Sequence, residues 1–449
     1  MITKEITSAS GRTLRHILRA LKHRNYRLFF IGQGISLIGT WMQRVAVSWL
    51  VYRMTNFPFL LGLVGFSGQM PTFIMAPFAG ALADRWDRMK ILLVTQYSAM
   101  FQALALAVLV LTETVQVWHV VVLAIILGII NGFEIPTRQS LVVKMIDKRE
   151  DLGNAIALNS SIFNGARLIG PTVAGILIAL VGEGVCFLIN GLSFVAVIAA
   201  IMAMRISDSK SLKKNAGMTE GLKEGFAYAF GFAPIRSILL LLSLLNFMAM
   251  PFTVLMPIFA KDILHGGPNT LGYLLGATGL GALTGAIFLA ARKSVVGLGK
   301  WIVIAAIIMG SALAAFSISK NFILSLLLLY PTGFGMMVHM ASSNTVLQTI
   351  VDDDKRARLM SLYAMSFMGM TPLGSLLAGT IAGRIGAPLT LAIGGMITVL
   401  GALIFMRKLP EMRKLVRPIY QQKGIISEMA SGIQSATEAS IPPRGISNF

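Results

Sequence analysis

Residues 58–111 read PFLLGLVGFSGQMPTFIMAPFAGALADRWDRMKILLVTQYSAMFQALALAVLVL, two apolar runs at 58–82 and 91–111 divided by Asp84-Arg85-Trp86-Asp87-Arg88-Met89-Lys90. Each run reaches the roughly 20 apolar residues that a helix needs to cross a hydrocarbon core of about 30 Å. The pattern continues outward in both directions, with further runs at 28–51, 117–137, 154–181, 184–204, 236–260, 270–291, 301–319, 322–345, 359–382 and 387–406. The only long polar gap between runs, 205–235, divides the twelve six and six.

Composition agrees. Of 449 residues 55% are hydrophobic and 13% charged, against about 25% charged in a soluble domain, which argues against a water-soluble fold. The formal charge of +20 would suggest nucleic acid in a soluble chain, but its distribution says otherwise. With a cytoplasmic N-terminus, 33 of the 39 Lys and Arg residues fall on the cytoplasmic side. Four (Arg53, Lys261, Lys320, Arg384) fall on the other side, and Arg44 and Arg167 lie inside runs. By the positive-inside rule both termini are cytoplasmic, no nucleic-acid partner is expected, and lipid is.

The expected fold is therefore all-α and integral to the membrane: twelve transmembrane helices in two pseudo-symmetric six-helix bundles. The segments are a cytoplasmic N-tail over 1–27, a first half over 28–204, a cytoplasmic central loop over 205–235, a second half over 236–406 and a cytoplasmic C-tail over 407–449. An offset of 204 carries Gly165, Gly170 and Gly175 onto Gly369, Gly374 and Gly379, as duplicated transporter halves require. Leu14, Ile17, Leu18 and Leu21 among basic residues predict an interfacial helix over 13–27. Leu222, Phe226 and Phe230 predict another in the central loop, after the basic stretch from Lys210 to Lys214. The sequence from Pro410 onward is polar and weakly patterned and reads as loosely ordered.

Several spans carry polar residues at helical spacing: Gln33, Ser36, Thr40, Arg44 and Ser48; Asn131, Glu134 and Arg138; Ser160, Asn164 and Arg167; Ser243, Asn246 and Thr253; and His339, Ser342, Ser343 and Asn344. Such stripes line aqueous cavities, or else form interhelix hydrogen bonds worth about 0.6 kcal/mol each on average. Ions at membrane depth are costly enough to be functional candidates by default. Gln33, Thr40, Arg44, Asn131, Asn164, Arg167, Asn246, His339 and Ser343 are the candidate cavity residues. Glu134 is the candidate proton carrier, because a carboxylate moved between membrane interior and water can take up and release a proton. The plainer role for Glu134 is an i,i+4 ion pair with Arg138. Glu134 and Arg167 differ in expected depth by roughly 15 Å at 1.5 Å per residue, too far for a direct pair. Arg44 and Arg167 would contact substrate anions or hold one state closed. Methionines including Met248, Met250, Met336, Met337 and Met340 would give an adaptable apolar wall.

No zinc-ligand spacing, nucleophile elbow or phosphate-binding loop occurs, and the one cysteine, Cys186, sits in an apolar run. No metal, cofactor or enzymatic activity is expected.

The loop Gly80-Ala-Leu82-Ala-Asp84-Arg85-Trp-Asp87-Arg88 resembles the signature between helices 2 and 3 of the major facilitator superfamily, with Asp87 in place of its second glycine. In that family the loop clamps the cytoplasmic ends of helices in the outward-facing state, which implies a cytoplasmic gate at Gly80, Asp84, Arg85 and Arg88. Gly165, Gly170, Pro171 and Gly175 resemble the family's helix-5 antiporter motif. Gly39-Thr-Trp41-Met-Gln43, Pro136-Thr-Arg138-Gln139, Asn154 to Ser160 and Asn164-x-x-Arg167-x-x-Gly170-Pro171 are similar to the branch of the enterobactin exporter and multidrug efflux proteins. The resemblance implies an exporter of siderophore- or drug-like amphiphiles in the bacterial cytoplasmic membrane, exchanging substrate for protons and expected as a monomer, with a lipid or lysolipid flippase of the same fold as the alternative and a membrane-embedded enzyme or scaffold as the alternative of another class.

Overall fold

The computed structural model describes residues 18–83, 86–205, 218–292 and 294–426. Among them every regular element is helical. Twelve long helices follow the twelve apolar runs: α1 Arg24–Thr55, α2 Pro58–Ala83, α3 Arg88–Leu111, α4 Val117–Lys144, α5 Leu152–Val181, α6 Glu183–Ala203, α7 Ala233–Ile263, α8 Pro268–Ala290, α9 Leu298–Ser317, α10 Phe322–Ile350, α11 Arg356–Ile385 and α12 Ala387–Gln422. A shorter helix, Met218–Gly231, lies between α6 and α7 in the chain.

Among the described residues, eleven helices are long and apolar enough to cross a membrane. The exception is α1, whose 32 residues extend about 48 Å at 1.5 Å per residue. Gln33, Gln43 and Arg44 dilute its apolar stretch. Only 28% to 56% of each apolar window is buried inside the protein, so Phe101, Leu180 and Leu327 stand 65%, 75% and 65% exposed. Lipid is the solvent that makes such a surface stable, and helices meet its demand that every backbone group be hydrogen-bonded internally.

Local chemistry sets the helix ends. Asp87 caps α3 by accepting hydrogen bonds from the Met89 and Lys90 amides at 2.8 and 3.4 Å, so the residue that replaces a glycine in the loop signature has a helix-capping task. Gly182 and Gly386 precede α6 and α12 with φ of +82° and +85°, a backbone region that favours glycine. They are also 204 residues apart, the offset of the glycine repeat.

The packing partners repeat with a shift of six helices. In the first set α1 packs on α5 and α6, α2 on α4, and α3 on α4 and α6; in the second, α7 packs on α11 and α12, α8 on α10, and α9 on α10 and α12. The sets meet where α2 lies on α11 and α5 on α8. The glycine repeat serves both kinds of contact. A Cβ at Gly170 would meet Trp41 of α1 at 2.5 Å, and its counterpart Gly374 lies against Phe247 of α7. A Cβ at Gly175 would meet Gly272 Cα of α8 at 2.9 Å, and one at Gly379 would meet Gly62 Cα of α2 at 2.8 Å.

Two helices are broken. Pro251 has no N–H for the Phe247 carbonyl, so α7 is interrupted around Ala249–Pro251 and ends in a π-helical turn, Phe259–Ile263. Pro372 likewise interrupts α11 at Gly369.

Two expectations need correction. The chain beyond Pro410 is helical to Gln422, because Leu409, Met412 and Tyr420 are buried against the core and Lys423 donates to the Thr349 and Val351 carbonyls at 2.8 and 3.1 Å. Within 13–27, the described part forms a single 3-10 turn, Arg19–Lys22, before α1. It is tied to the protein by Arg19–Asp151 at 2.9 Å and by the Ala20 amide donating to Asn154 at 2.9 Å; Leu14 and Ile17 lie outside the described residues. In the central loop, Phe226 and Phe230 stack at 5.9 Å on the helix Met218–Gly231, while Lys210 to Lys214 lie outside the described residues.

Candidate functional site

The polar face of α1 divides into two parts. Gln43 is part of a closed structural network: its Nε2 donates to Gln102 Oε1 of α3 at 2.9 Å, and Asn190 Nδ2 of α6 donates to its Oε1 at 2.6 Å. Thr40 spends its hydroxyl on the Ser36 carbonyl of its own helix at 2.9 Å. Gln33 is buried with its Oε1 unpartnered.

Arg44 behaves differently. It is exposed although it lies well inside α1 and protein surrounds it at longer range, as expected of a side chain lining an internal cavity. Its guanidinium carbon lies 4.7 Å from the centre of the Trp41 ring, and that of Arg167 from α5 lies 5.7 Å from the same ring. Phe163 packs edge-on to Trp41 at 5.8 Å. Arg167 reaches on to α10, where its Nη2 donates to Met336 Sδ at 3.0 Å. One aromatic ring and two cations thus join α1, α5 and α10, helices drawn from both sets of six.

On α10, His339 is 2% exposed and its Nδ1 donates to the Ile302 carbonyl of α9 at 3.1 Å. A carbonyl can only accept, so the proton sits on Nδ1 in the neutral ring, and Nε2 is left as a buried acceptor without a partner. His339 lines a pocket with Asn246 of α7 and the methionines Met250, Met309, Met336 and Met340. The hydroxyls of Ser342 and Ser343 are buried and unpartnered. Asn246 is buried and donates to the Leu242 carbonyl at 2.7 Å. Asn164, one turn before Arg167, donates to the Ser160 carbonyl at 2.9 Å and leaves its Oδ1 unpartnered. Buried polar groups without partners are rare in folded proteins, so their concentration on α1, α5 and α10 marks this region.

Glu134 is 9% exposed and accepts from Arg138 Nε at 2.7 Å, the i,i+4 pair that its spacing allows. Asn131 is half-buried on the same helix. In the helix 2–3 loop, Gly80 ends within α2 and Arg88 begins α3, while Asp84 and Arg85 lie outside the described residues. Among the antiporter-motif residues, Gly170 and Gly175 are contact points, Pro171 places its carbonyl 2.7 Å from where a Gly272 Cβ would sit, and Gly165 faces open space.

Sequence reasoning missed a bridge at the far end of α1. Tyr52 donates to Asp262 in the π-helical turn of α7, and Lys261 Nζ donates to Asn56 Oδ1 at 2.6 Å. Beside it Arg53 pairs with Glu183 at 2.8 Å. Asp262 lies within α7. The available signal was Asp262 beside Lys261 at the end of an apolar run. Trp41 and Met336 were visible only as a motif residue and as wall material. Among the described residues no group of three or more His, Cys, Asp or Glu is placed to hold a metal.

The model of a family described as transmembrane secretion effectors matches residues 17–423. The chain belongs to that family. It is a transporter of the major facilitator superfamily, spanning the membrane several times. Its relatives include the staphyloferrin A transporter of Staphylococcus aureus, 23% identical over 84% of this chain and 95% of that one. The multidrug efflux pump Tap of Mycolicibacterium fortuitum is 25% identical over 86% of this chain and 95% of Tap. Macrolide efflux protein A of Streptococcus pyogenes is 22% identical over 88% of this chain and 99% of that one. Among solved structures, a bacterial homologue of the human lysosomal transporter Spinster superposes with a TM-score of 0.61 at 14% identity, covering 90% of this chain and 99% of that one. A peptide transporter gives 0.69 at 12% identity, covering 87% and 95%. These structural likenesses establish the fold.

Proposed function

We propose that the chain is a secondary active exporter of amphiphilic small molecules across a bacterial cytoplasmic membrane, exchanging substrate for protons by rocking its two six-helix halves. In this reading α1 is a twelfth span, both termini are cytoplasmic, and the protein works as a monomer. The observation that carries it is the asymmetry between the ends of α1. The Tyr52–Asp262 and Asn56–Lys261 contacts bridge the two sets of helices at one end, while Arg44 stays accessible from within. Positive-inside orientation puts the bridged end outside, so the cavity of Arg44, Trp41 and Arg167 opens to the cytoplasm.

The relatives support export of siderophores or drugs as the class of work. Glu134 is the coupling residue in this reading: it is buried on α4 against Arg138, and a change of Arg138 rotamer as the halves rock would free its carboxylate to exchange a proton. The test is substrate-dependent proton movement in proteoliposomes holding the full chain, across a panel of siderophores, dyes and lysolipids. Soluble amphiphiles should drive proton counterflow, and Glu134→Gln should abolish it in a protein that still folds. Undiminished coupling in that variant removes Glu134 from the role, and lipid movement without any soluble substrate replaces export by a flippase activity.

A further inference from the structure

Arg44 and Arg167 approach one Trp41 ring, and neither has a carboxylate within ion-pair distance among the described residues. Several other arginines have an acid: Arg19 has Asp151, Arg53 has Glu183, Arg138 has Glu134, Arg356 has Asp353 and Arg358 has Glu224. Two cations this close repel, the more so in a low-dielectric interior. A shared aromatic ring returns only about 0.5–2 kcal/mol for each cation, and the one hydrogen bond of Arg167 goes to a thioether, a weak acceptor. The pair therefore lacks an anion.

The neighbouring groups say more about what that anion would carry. Asn164, at i−3 from Arg167 on α5, has its amide donor occupied and its Oδ1 buried without a partner. His339, at i+3 from Met336 on α10, has Nδ1 occupied and Nε2 buried without a partner. Both are acceptors awaiting donors, on helices that Arg167 already bridges.

We propose that Arg44 and Arg167 form a binding site for an organic anion, a carboxylate or phosphate group held by the two guanidinium forks alongside Trp41. The same molecule presents O–H or N–H donors to Asn164 and His339. The proposal deepens the transport reading, since it names the chemical class of what the cavity takes. Planar forks suit two-oxygen anions bidentately, and the mixture of cations with bare acceptors disfavours a permanent cation. A soluble polycarboxylate and a lysolipid phosphate headgroup share this chemistry.

The experiment is equilibrium binding to the full-length protein in neutral phosphatidylcholine nanodiscs with no ion gradient. The probes are citrate as the soluble anion, lysophosphatidate as the headgroup and tetraphenylphosphonium as the cation. At least one anion should bind, with affinity falling as salt rises and weakening about tenfold or more in Arg44→Gln and in Arg167→Gln. The charge-retaining Arg44→Lys and Arg167→Lys should weaken it less, and supply folded variants should the glutamines not fold. Citrate alone assigns a soluble substrate and lysophosphatidate alone a lipid headgroup, and either upholds the site. Binding of neither anion, preference for the cation, or unchanged anion affinity in both folded glutamine variants overturns it. Transport without anion binding would remove this proposal and leave the exporter standing, while anion binding without transport would do the reverse.

Discussion

His23 precedes α1 with both ring nitrogens facing carboxylates, Nδ1 at 2.9 Å from Asp147 and Nε2 at 3.0 Å from Asp151, while Arg19 pairs with Asp151. Only the imidazolium carries a proton on each nitrogen. The hydrogen bond to Asp147, opposed by desolvation and aided by Asp151, raises the His23 pKa from 6.5. The stabilisation is therefore complete below 6.5 and is lost as pH climbs through the raised folded value. Asp151, lowered from 3.8 chiefly by the His23 hydrogen bond, contributes above 3.8 and loses its contribution as pH falls through its lowered value. Above pH 6.5 the His23 change dominates, so hydrogen exchange over residues 18–24, corrected for intrinsic rates, should quicken with rising pH, and His23→Gln should abolish that dependence. Exchange that stays equally slow across the range would show that the cluster does not hold the segment. The sequence offered His23 no role, because its partners lie over a hundred residues away. Gln43 shows the opposite limit: the sequence placed it only in a motif, and its neighbours on α3 and α6 make it part of the scaffold.

Helix contacts explain why equally spaced glycines are not equivalent. Gly175 sits where α5 meets α8, and a Cβ there would come within 2.7 Å of the Pro268 carbonyl, whereas Gly165 has nothing within 4 Å. Gly165→Ala should leave thermal stability in detergent unchanged or raise it by up to about 1 kcal/mol, the helix-propensity gain. Gly175→Val should cost about 1–3 kcal/mol by overpacking a backbone contact. A melting comparison of the two variants checks this, and equal behaviour would mean that the α5–α8 contact contributes nothing. Repetition at 204 residues was legible in the sequence because glycine spacing survives in a linear string. Which glycine meets which helix was not, since Gly170 and Gly175 face different partners only once α5 lies between α1 and α8. The breaks in α7 and α11 fall at Pro251 and Pro372, but Pro136, Pro171 and Pro331 lie inside unbroken helices, and the π-helical turn that carries Asp262 had no marker of its own.

At the scale of the whole molecule, the bridge between α1 and α7 should be the contact that opens when the cavity turns outward. Cys186 is buried and is the only native cysteine, so a crosslink can be placed cleanly. Joining the ends with Asn56→Cys and Lys261→Cys through a short bismaleimide should stop export, and cleaving a reducible version should restore it. Continued export by fully crosslinked protein would exclude this bridge as a moving gate. Twelve apolar runs, their division about 205–235 and the one-sided placement of basic residues fixed the membrane character and the helix order, because the hydrocarbon core imposes a length and a polarity that any sequence must declare residue by residue. The sequence also singled out Arg44, Glu134 and Arg167 as ions at a cost. Only the tertiary structure set what surrounds each of them. It brought Arg44 and Arg167 to one Trp41 ring with no acid in ion-pair distance among the described residues, and Tyr52 to Asp262, whereas the Glu134–Arg138 pair was already legible as i,i+4 spacing on one helix. Partners in a helical bundle are set by packing across helices distant in sequence, which periodicity along a single helix does not record.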